Sequence, residues 1–191
     1  MMEIPLLETP RLRLRGHYAT DLVASVAMWQ EPAFYQYLGG QPQPEEEVWT
    51  KMLRHMGSWA LCGYGFWAVE AKATGHFIGV VGFGDWQRSI VPSLKGFPEI
   101  GWVLAPHSHG QGYATEAVRA ALVWADAHIE QSRTVCLIHP DNRPSLRLAA
   151  KFGYQEFSRT YYKGQPGVLL ERYAAGQAHS APPAKPVQVA V

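Results

Sequence analysis

The sequence is short of charge, of cysteine and of long apolar runs, and each shortage removes a class of protein. Charged residues make up 17% of the 191 positions, against about a quarter in average soluble proteins. Lys plus Arg (17) almost cancels Asp plus Glu (16), leaving a net charge of +1. A chain so balanced has no global field to gather a polyanion or an anionic bilayer, so neither a nucleic-acid nor a membrane partner is expected and any anion must be held locally. The two cysteines, Cys62 and Cys136, form no Cys-x-x-Cys pair or metal-ligand spacing, and both are expected reduced and buried. No segment reaches the roughly 18 apolar residues of a membrane span, and the opening MMEIPLLETP lacks a basic stretch followed by an apolar one. A cytoplasmic protein is the expectation.

What is present suits a globular domain. Apolar residues are 47% and aromatics 12%, ample for a core at this length. One domain is expected over residues 1–175, followed over 176–191 by an Ala- and Pro-rich tail with no amphipathic period, expected to be mobile. Thr9 to Arg15 alternates with period two, so Leu12 and Leu14 share one strand face while Arg11, Arg13 and Arg15 take the other, read as solvated. A short helix follows from Thr20 or Asp21 to before Pro32. A second opens at Pro44 with Glu45, Glu46 and Glu47 in its first turn. A hairpin spans Gly63 to Gly84, and a further strand Glu99 to Ala105. The strongest helix signal covers 112–129, where Ala114, Ala117, Val118, Ala121, Leu122 and Ala125 recur at helical spacing. A strand from Thr134 to His139, a helix from Asn142 to Phe152 and two closing strands complete an α/β (α+β mixed) pattern. The strand, helix, strand passage around 99–139 requires one parallel pair in an otherwise hairpin-built sheet. The edge offered by the last strands is a surface for a homodimer.

The chemistry concentrates in EIGWVLAPHSHGQGYATE, residues 99–116. A strand runs into a turn with Gly110 and Gly112 and then into a strong helix, whose first amides lack internal partners and lie at the positive end of the helix dipole. Such a turn suits a diphosphate, although two glycines also serve a plain tight turn. A Walker loop fails, because Tyr113 and Ala114 follow Gly112. A dinucleotide fingerprint fails at Thr115, where it needs a third glycine. His107, His109 and His139 lack the companions of a metal site, so no metal is expected.

The stretch HGQGYATEAV resembles the acyl-CoA signature of the GCN5-related N-acetyltransferase (GNAT) superfamily, with His109 where Arg or Gln is usual. TPRLRLR, TGHFIGVVGF, EIGWVL and HPDNRPSLRLAAKFGY follow in the order seen in its branch of ribosomal-protein N-terminal acetyltransferases (RimJ and RimL), over about residues 6–174. The resemblance implies a central mixed, mostly antiparallel sheet of about seven strands, with helices on both faces and a splayed central pair. It implies an acetyl-CoA-dependent N-acetyltransferase acting on a primary amine, either a small molecule or a protein N-terminus, by direct attack in a ternary complex. The diphosphate is expected on the segment His109, Gly110, Gln111, Gly112, Tyr113, Ala114 and Thr115, and the pantetheine arm along Trp102, Val103 and Leu104, with an amide near Val103 for the oxyanion. Glu99 matches a general-base position, with a structural carboxylate as the alternative. The tyrosine that many relatives use as acid is replaced by Ala149. Ser145 is then the candidate proton donor or cap, Asn142 a helix cap that also touches the cofactor, and Arg147 a partner for the 3′-phosphate. Trp67, Trp86 and Tyr64 are candidates for an acceptor wall or for the core. The missing tyrosine leaves open a non-catalytic acyl-CoA-binding sensor or interaction module.

Overall fold

The computed structural model describes residues 3–35 and 41–174, the side chains of Ala33 and Phe34 excepted. The expected tail lies outside the described residues. In chain order the elements are β1 (Leu7–Glu8), β2 (Leu12–Arg15), α1 (Asp21–Trp29), α2 (Pro32–Tyr35), α3 (Glu45–Cys62), β3 (Phe66–Ala71), β4 (His76–Gly84) and β5 (Glu99–Leu104). After a 3-10 turn (Pro106–Ser108) come α4 (Tyr113–His128), β6 (Arg133–Ile138), α5 (Arg143–Lys151), β7 (Gln155–Tyr162) and β8 (Gln165–Tyr173). One sheet holds all the described strands in the order β1-β2-β3-β4-β5-β6-β8-β7. It has eight strands where about seven were expected, the addition being the two-residue β1 set against Arg13 and Leu14.

Helices cover both faces of the sheet. The helical stripe of α4, with Ala117, Val118, Ala121, Leu122 and Ala125 buried, packs on Leu12, Leu14, Trp67, Val81, Phe83 and Ile100, and α5 adds Ala149 to the same cluster. On the opposite face Met28 of α1 meets Phe66, Ala68, Phe77 and Val80. Every residue of β3 is buried, Glu70 included, as a central strand covered on both sides requires. Helix α3 ends at Gly63, whose φ of 75° closes it, and its Trp59 reaches past Gly65 to stand edge-on to Trp67 and to Trp124 of α4.

Two sequence expectations are corrected here. The face of Arg11, Arg13 and Arg15 is solvated only in part: Arg11 is exposed and Arg13 partly so, whereas Arg15 is not. Arg15 is buried, pairing with Asp21 at 2.8 Å and Glu70 at 2.7 Å, and Arg13 reaches Glu70 at 2.9 Å. The carboxylates come from α1 and β3, and period-two alternation carries no information about what packs over a face. Burial opposes the Arg15 charge, but the hydrogen bonds to Asp21 and Glu70 outweigh it and hold the guanidinium pKa above its ordinary value. Cys136 is buried as expected, whereas Cys62 is exposed, because it falls on the last turn of α3.

The feature that positions the site is the junction of β5 and β6. This pair is parallel, and its register among the described residues links Glu99 to Val135 alone, while β4–β5 and β6–β8 are paired along their lengths. The expected splay is therefore present. It opens from Glu99 toward Leu104, and the turn that leads into α4 lies at its wide end.

Candidate active site

Strand β5 presents its backbone to the gap in a defined phase. The amide of Ala105 donates to Ile78 O of β4 at 2.8 Å, and Pro98 O accepts from Val135 N of β6 at 3.0 Å. Alternation along the strand then directs the peptide groups of Ile100, Trp102 and Leu104 toward β6. Beyond Glu99 this edge has no strand neighbour, so it suits an extended ligand rich in amides. Of the expected trio Trp102, Val103 and Leu104, Trp102 turns its N–H and C=O and Leu104 its N–H toward the gap, the Leu104 C=O being engaged by His109, whereas Val103 faces β4. The Val103 amide, expected for the oxyanion, faces β4 and not the gap. Gly101, Trp102 and Val103 are half-buried.

At the wide end, Gly110 (φ 73°) and Gly112 (φ 80°) both adopt the left-handed conformation that favours glycine. Gly112 caps α4, leaving the amides of Tyr113, Ala114 and Thr115 at the positive end of a helix that runs to His128. Gln111 is held by its side chain, which donates to His107 O at 2.8 Å. His109, the departure from the family pattern, turns back onto β5, its Nε2 lying 2.7 Å from Leu104 O. A carbonyl only accepts, so Nε2 carries the proton. The ring ties the turn to the strand end.

Sequence reasoning missed Arg11. It donates to Gln111 O at 2.8 Å and pairs with Glu116 at 2.7 Å. Its guanidinium lies 4.6 Å from the centroid of the Tyr113 ring. A guanidinium paired with Glu116 therefore stands at the turn, its Nη1 bound to the turn's own backbone. The Glu116 carboxyl, although burial opposes its charge, is held below its ordinary pKa by hydrogen bonds from Thr9 and Arg11. Arg11 and Glu116 are distant in sequence, and no local pattern connects them.

Glu99 is 6% exposed, and its oxygens accept from Arg88 Nε at 2.9 Å and from the Arg88 terminal nitrogen at 2.7 Å. Burial opposes the Arg88 charge, but the bonds and charge of Glu99, with Tyr162 behind them, raise its pKa. Asn142 caps α5, its Oδ1 accepting from Ser145 N at 3.1 Å. Ser145 is half-buried and Arg147 exposed. Ala149, at the position of the missing tyrosine, is buried in the core. Of the candidate wall residues, Trp67 and Tyr64 belong to the core, whereas Trp86 is half-buried and packs 5.6 Å from Phe66, centroid to centroid. The Phe66 ring lies on Gly101, where a Cβ would come within 3.0 Å of it.

Residues 11–155 match the acetyltransferase (GNAT) domain family, and the chain belongs to that family. It is an acyltransferase built on the GNAT fold, and the family uses acetyl-CoA. The chain is 36% identical over 174 residues to the uncharacterized protein YkkB of Bacillus subtilis, covering 87% of this chain and 94% of that one. Its fold matches that of a Bordetella pertussis protein assigned to the GNAT acetyltransferases, with a TM-score of 0.79, 30% identity and coverage of 88% of this chain and 99% of the other. A more distant match in fold is RimL, a ribosomal L7/L12 α-N-protein acetyltransferase in complex with coenzyme A, with a TM-score of 0.71, 16% identity and coverage of 88% and 98%. Among the described residues, no helix is long and apolar enough to cross a membrane.

Proposed function

We propose that the chain is an N-acetyltransferase that moves an acetyl group from acetyl-CoA to a primary amine by direct attack in a ternary complex. The observation that carries the reading is the β5 edge left open beyond Glu99, ending at a turn whose amides converge at a helix N-terminus beside Arg11. These residues fit acetyl-CoA. The amides of Gly112 to Thr115 with Arg11 would hold its diphosphate, and Trp102 and Leu104 its amide-bearing arm. Acetyl-CoA supplies the acetyl group as a thioester. The new N–C bond forms as the C–S bond breaks, the amine loses a proton and the thiolate gains one.

In this reading the N–H of Trp102, facing the gap, stabilises the carbonyl oxygen as it gains charge, while the Trp102 C=O and the Leu104 N–H remain for the arm. Ser145 at the start of α5 offers the proton for the thiolate, and Arg147 meets the 3′-phosphate. The bidentate contact with Arg88 favours a positioning role for Glu99 over the role of base. The amine then needs no strong base, because an α-amine titrates near about pH 8 and arrives partly neutral. The placement in the RimJ and RimL branch, and with it a protein N-terminus as acceptor, rests on the sequence pieces quoted above, since the likeness to RimL is one of fold.

A second reading, a non-catalytic acyl-CoA sensor, is favoured by Glu99 being engaged and by the buried Ala149. Calorimetry with acetyl-CoA, followed by thiol release against a panel of amines and mass determination of the product, separates the two. Binding with turnover supports the enzyme, binding without turnover of any amine supports the sensor, and no binding refutes both.

A further inference from the structure

Four cations from separate parts of the chain meet on the Glu99–Gly101 face of the sheet. Arg88, in the segment between β4 and β5, holds Glu99 and lies 4.7 Å from the centroid of the Tyr162 ring. Lys163, at the tip of the β7–β8 hairpin, stands 5.6 Å from the same centroid. Arg54 of α3 covers Trp86 at 4.9 Å, and Trp86 packs on Phe66, which covers Gly101. Lys51, one turn earlier on α3, lies over Trp29 at 4.8 Å and donates to Gln43 at 2.8 Å. Burial pushes the Lys51 ammonium pKa down, Glu47 works against that, and the positive charges of Arg54 and Lys163 push it further down, as three neighbouring cations must.

Of these four, Arg88 alone is neutralised by a carboxylate, that of Glu99. Every Asp and Glu of the chain lies among the described residues. Glu99 is bound by Arg88, and Asp85 accepts from Gln87 and from the Gly96 amide. Glu47 is a neighbour of Lys51 without being its hydrogen-bond partner, and among the described residues Lys51, Arg54 and Lys163 form no ion pair. Cations from this many elements repel one another, and an anion placed between them relieves the repulsion.

We propose that the acceptor is a small amine carrying an anionic group, a carboxylate or a phosphate, seated against Arg54 and Lys163 with its nitrogen directed past Trp86 toward the open edge of β5. This inference rests on the acetyltransferase reading and refines its acceptor. The same charges disfavour polyamines, whose ammonium groups would meet the cations Lys51, Arg54 and Lys163, unpaired among the described residues. They also favour the neutral form of the attacking amine, since neighbouring cations lower an ammonium pKa. The site thus combines recognition of the anion with deprotonation of the nucleophile.

The test is thiol release with acetyl-CoA and matched amines: an α-amino acid against its carboxamide, phosphoethanolamine against ethanolamine, and spermidine. The anionic member of a pair is expected to exceed its neutral partner about tenfold or more in kcat/KM, the scale of one charge-assisted hydrogen bond. The pair that shows the preference distinguishes carboxylate from phosphate. Arg54→Gln with Lys163→Gln should bring the ratio toward one, Arg54→Lys should retain most of it, and calorimetric affinity for acetyl-CoA serves as the control for folding. Equal or better use of spermidine or of the neutral partners overturns the proposal while the enzyme reading stands, as does a preference that survives the double variant. Turnover of no amine by a protein that binds acetyl-CoA overturns both.

Discussion

Replacing Glu99 by Gln, Arg88 by Met, and both together separates a carboxylate that positions from one that takes a proton. The pair is close, at 2.7 Å, with side chains 8% and 20% exposed. Removing one partner of a fully buried ion pair costs about 3–5 kcal/mol. The partial exposure of Arg88, and the oxygen that Gln keeps for it, reduce the expected cost of Glu99→Gln to about 2 kcal/mol. For a chain of this length that lowers Tm by about 4–8 °C. The double variant should be less destabilised than the sum of the singles by about 1–3 kcal/mol, because neither residue is left charged and unpaired. Thermal unfolding followed by circular dichroism gives these values, and thiol release over about pH 6 to 9 gives the activity. The expected result is a kcat for Glu99→Gln within about tenfold of the parent and an unmoved acidic limb, since loss of a general base costs about a hundredfold or more. A hundredfold loss of kcat with unchanged Tm and a lost acidic limb would refute the positioning role.

Three further outcomes follow from the geometry. Gly112→Ala forces a side chain onto a φ of 80° beside Arg11, at a cost of about 1 kcal/mol in stability, and should raise the KM for acetyl-CoA far more than that for the amine. Asn142→Ala removes the cap on Ser145 N and should cost about 1 kcal/mol by denaturant titration, and an unchanged midpoint would rule out the cap as a stabilising contact. Burial lowers the pKa of His17 to about 4 and that of His55, 3.3 Å away, well below its ordinary value. Because the unfolded chain takes up these protons first, stability is complete above about pH 6.5 and falls as the pH drops toward 4, by roughly 1.4 kcal/mol per unit of depression. His17→Gln should flatten that slope, and an unchanged slope would show that other groups set it.

Much of the fold was legible because it is written in local patterns. The stripe of α4, the glycine boundaries of the β3–β4 hairpin and the strand at Glu99 fall within a residue or two of their expected ends. The one parallel pair followed from connectivity. β1 and α2 went unread because two and four residues carry too little periodicity. The glycine turn before α4 was legible as residues in a row, whereas what stands around it was not. Arg11, Arg15 and Arg88 look alike in the sequence, and only the folded chain shows that one faces the turn, one is buried between two carboxylates and one holds Glu99. The cluster of Lys51, Arg54, Arg88 and Lys163 is illegible for the same reason, since each residue alone is an ordinary surface charge in a nearly neutral chain.

The lone rung between Glu99 and Val135 makes the sheet two plates, five strands and three, riveted at a single point and strapped by α4. Acetyl-CoA laid in the wedge, as proposed above, would bond to one plate and press on the other, and rigidity would then rise with its concentration through simple mass action. A well-fed cell would keep a stiffer, more protease-resistant population of this enzyme than a starved one.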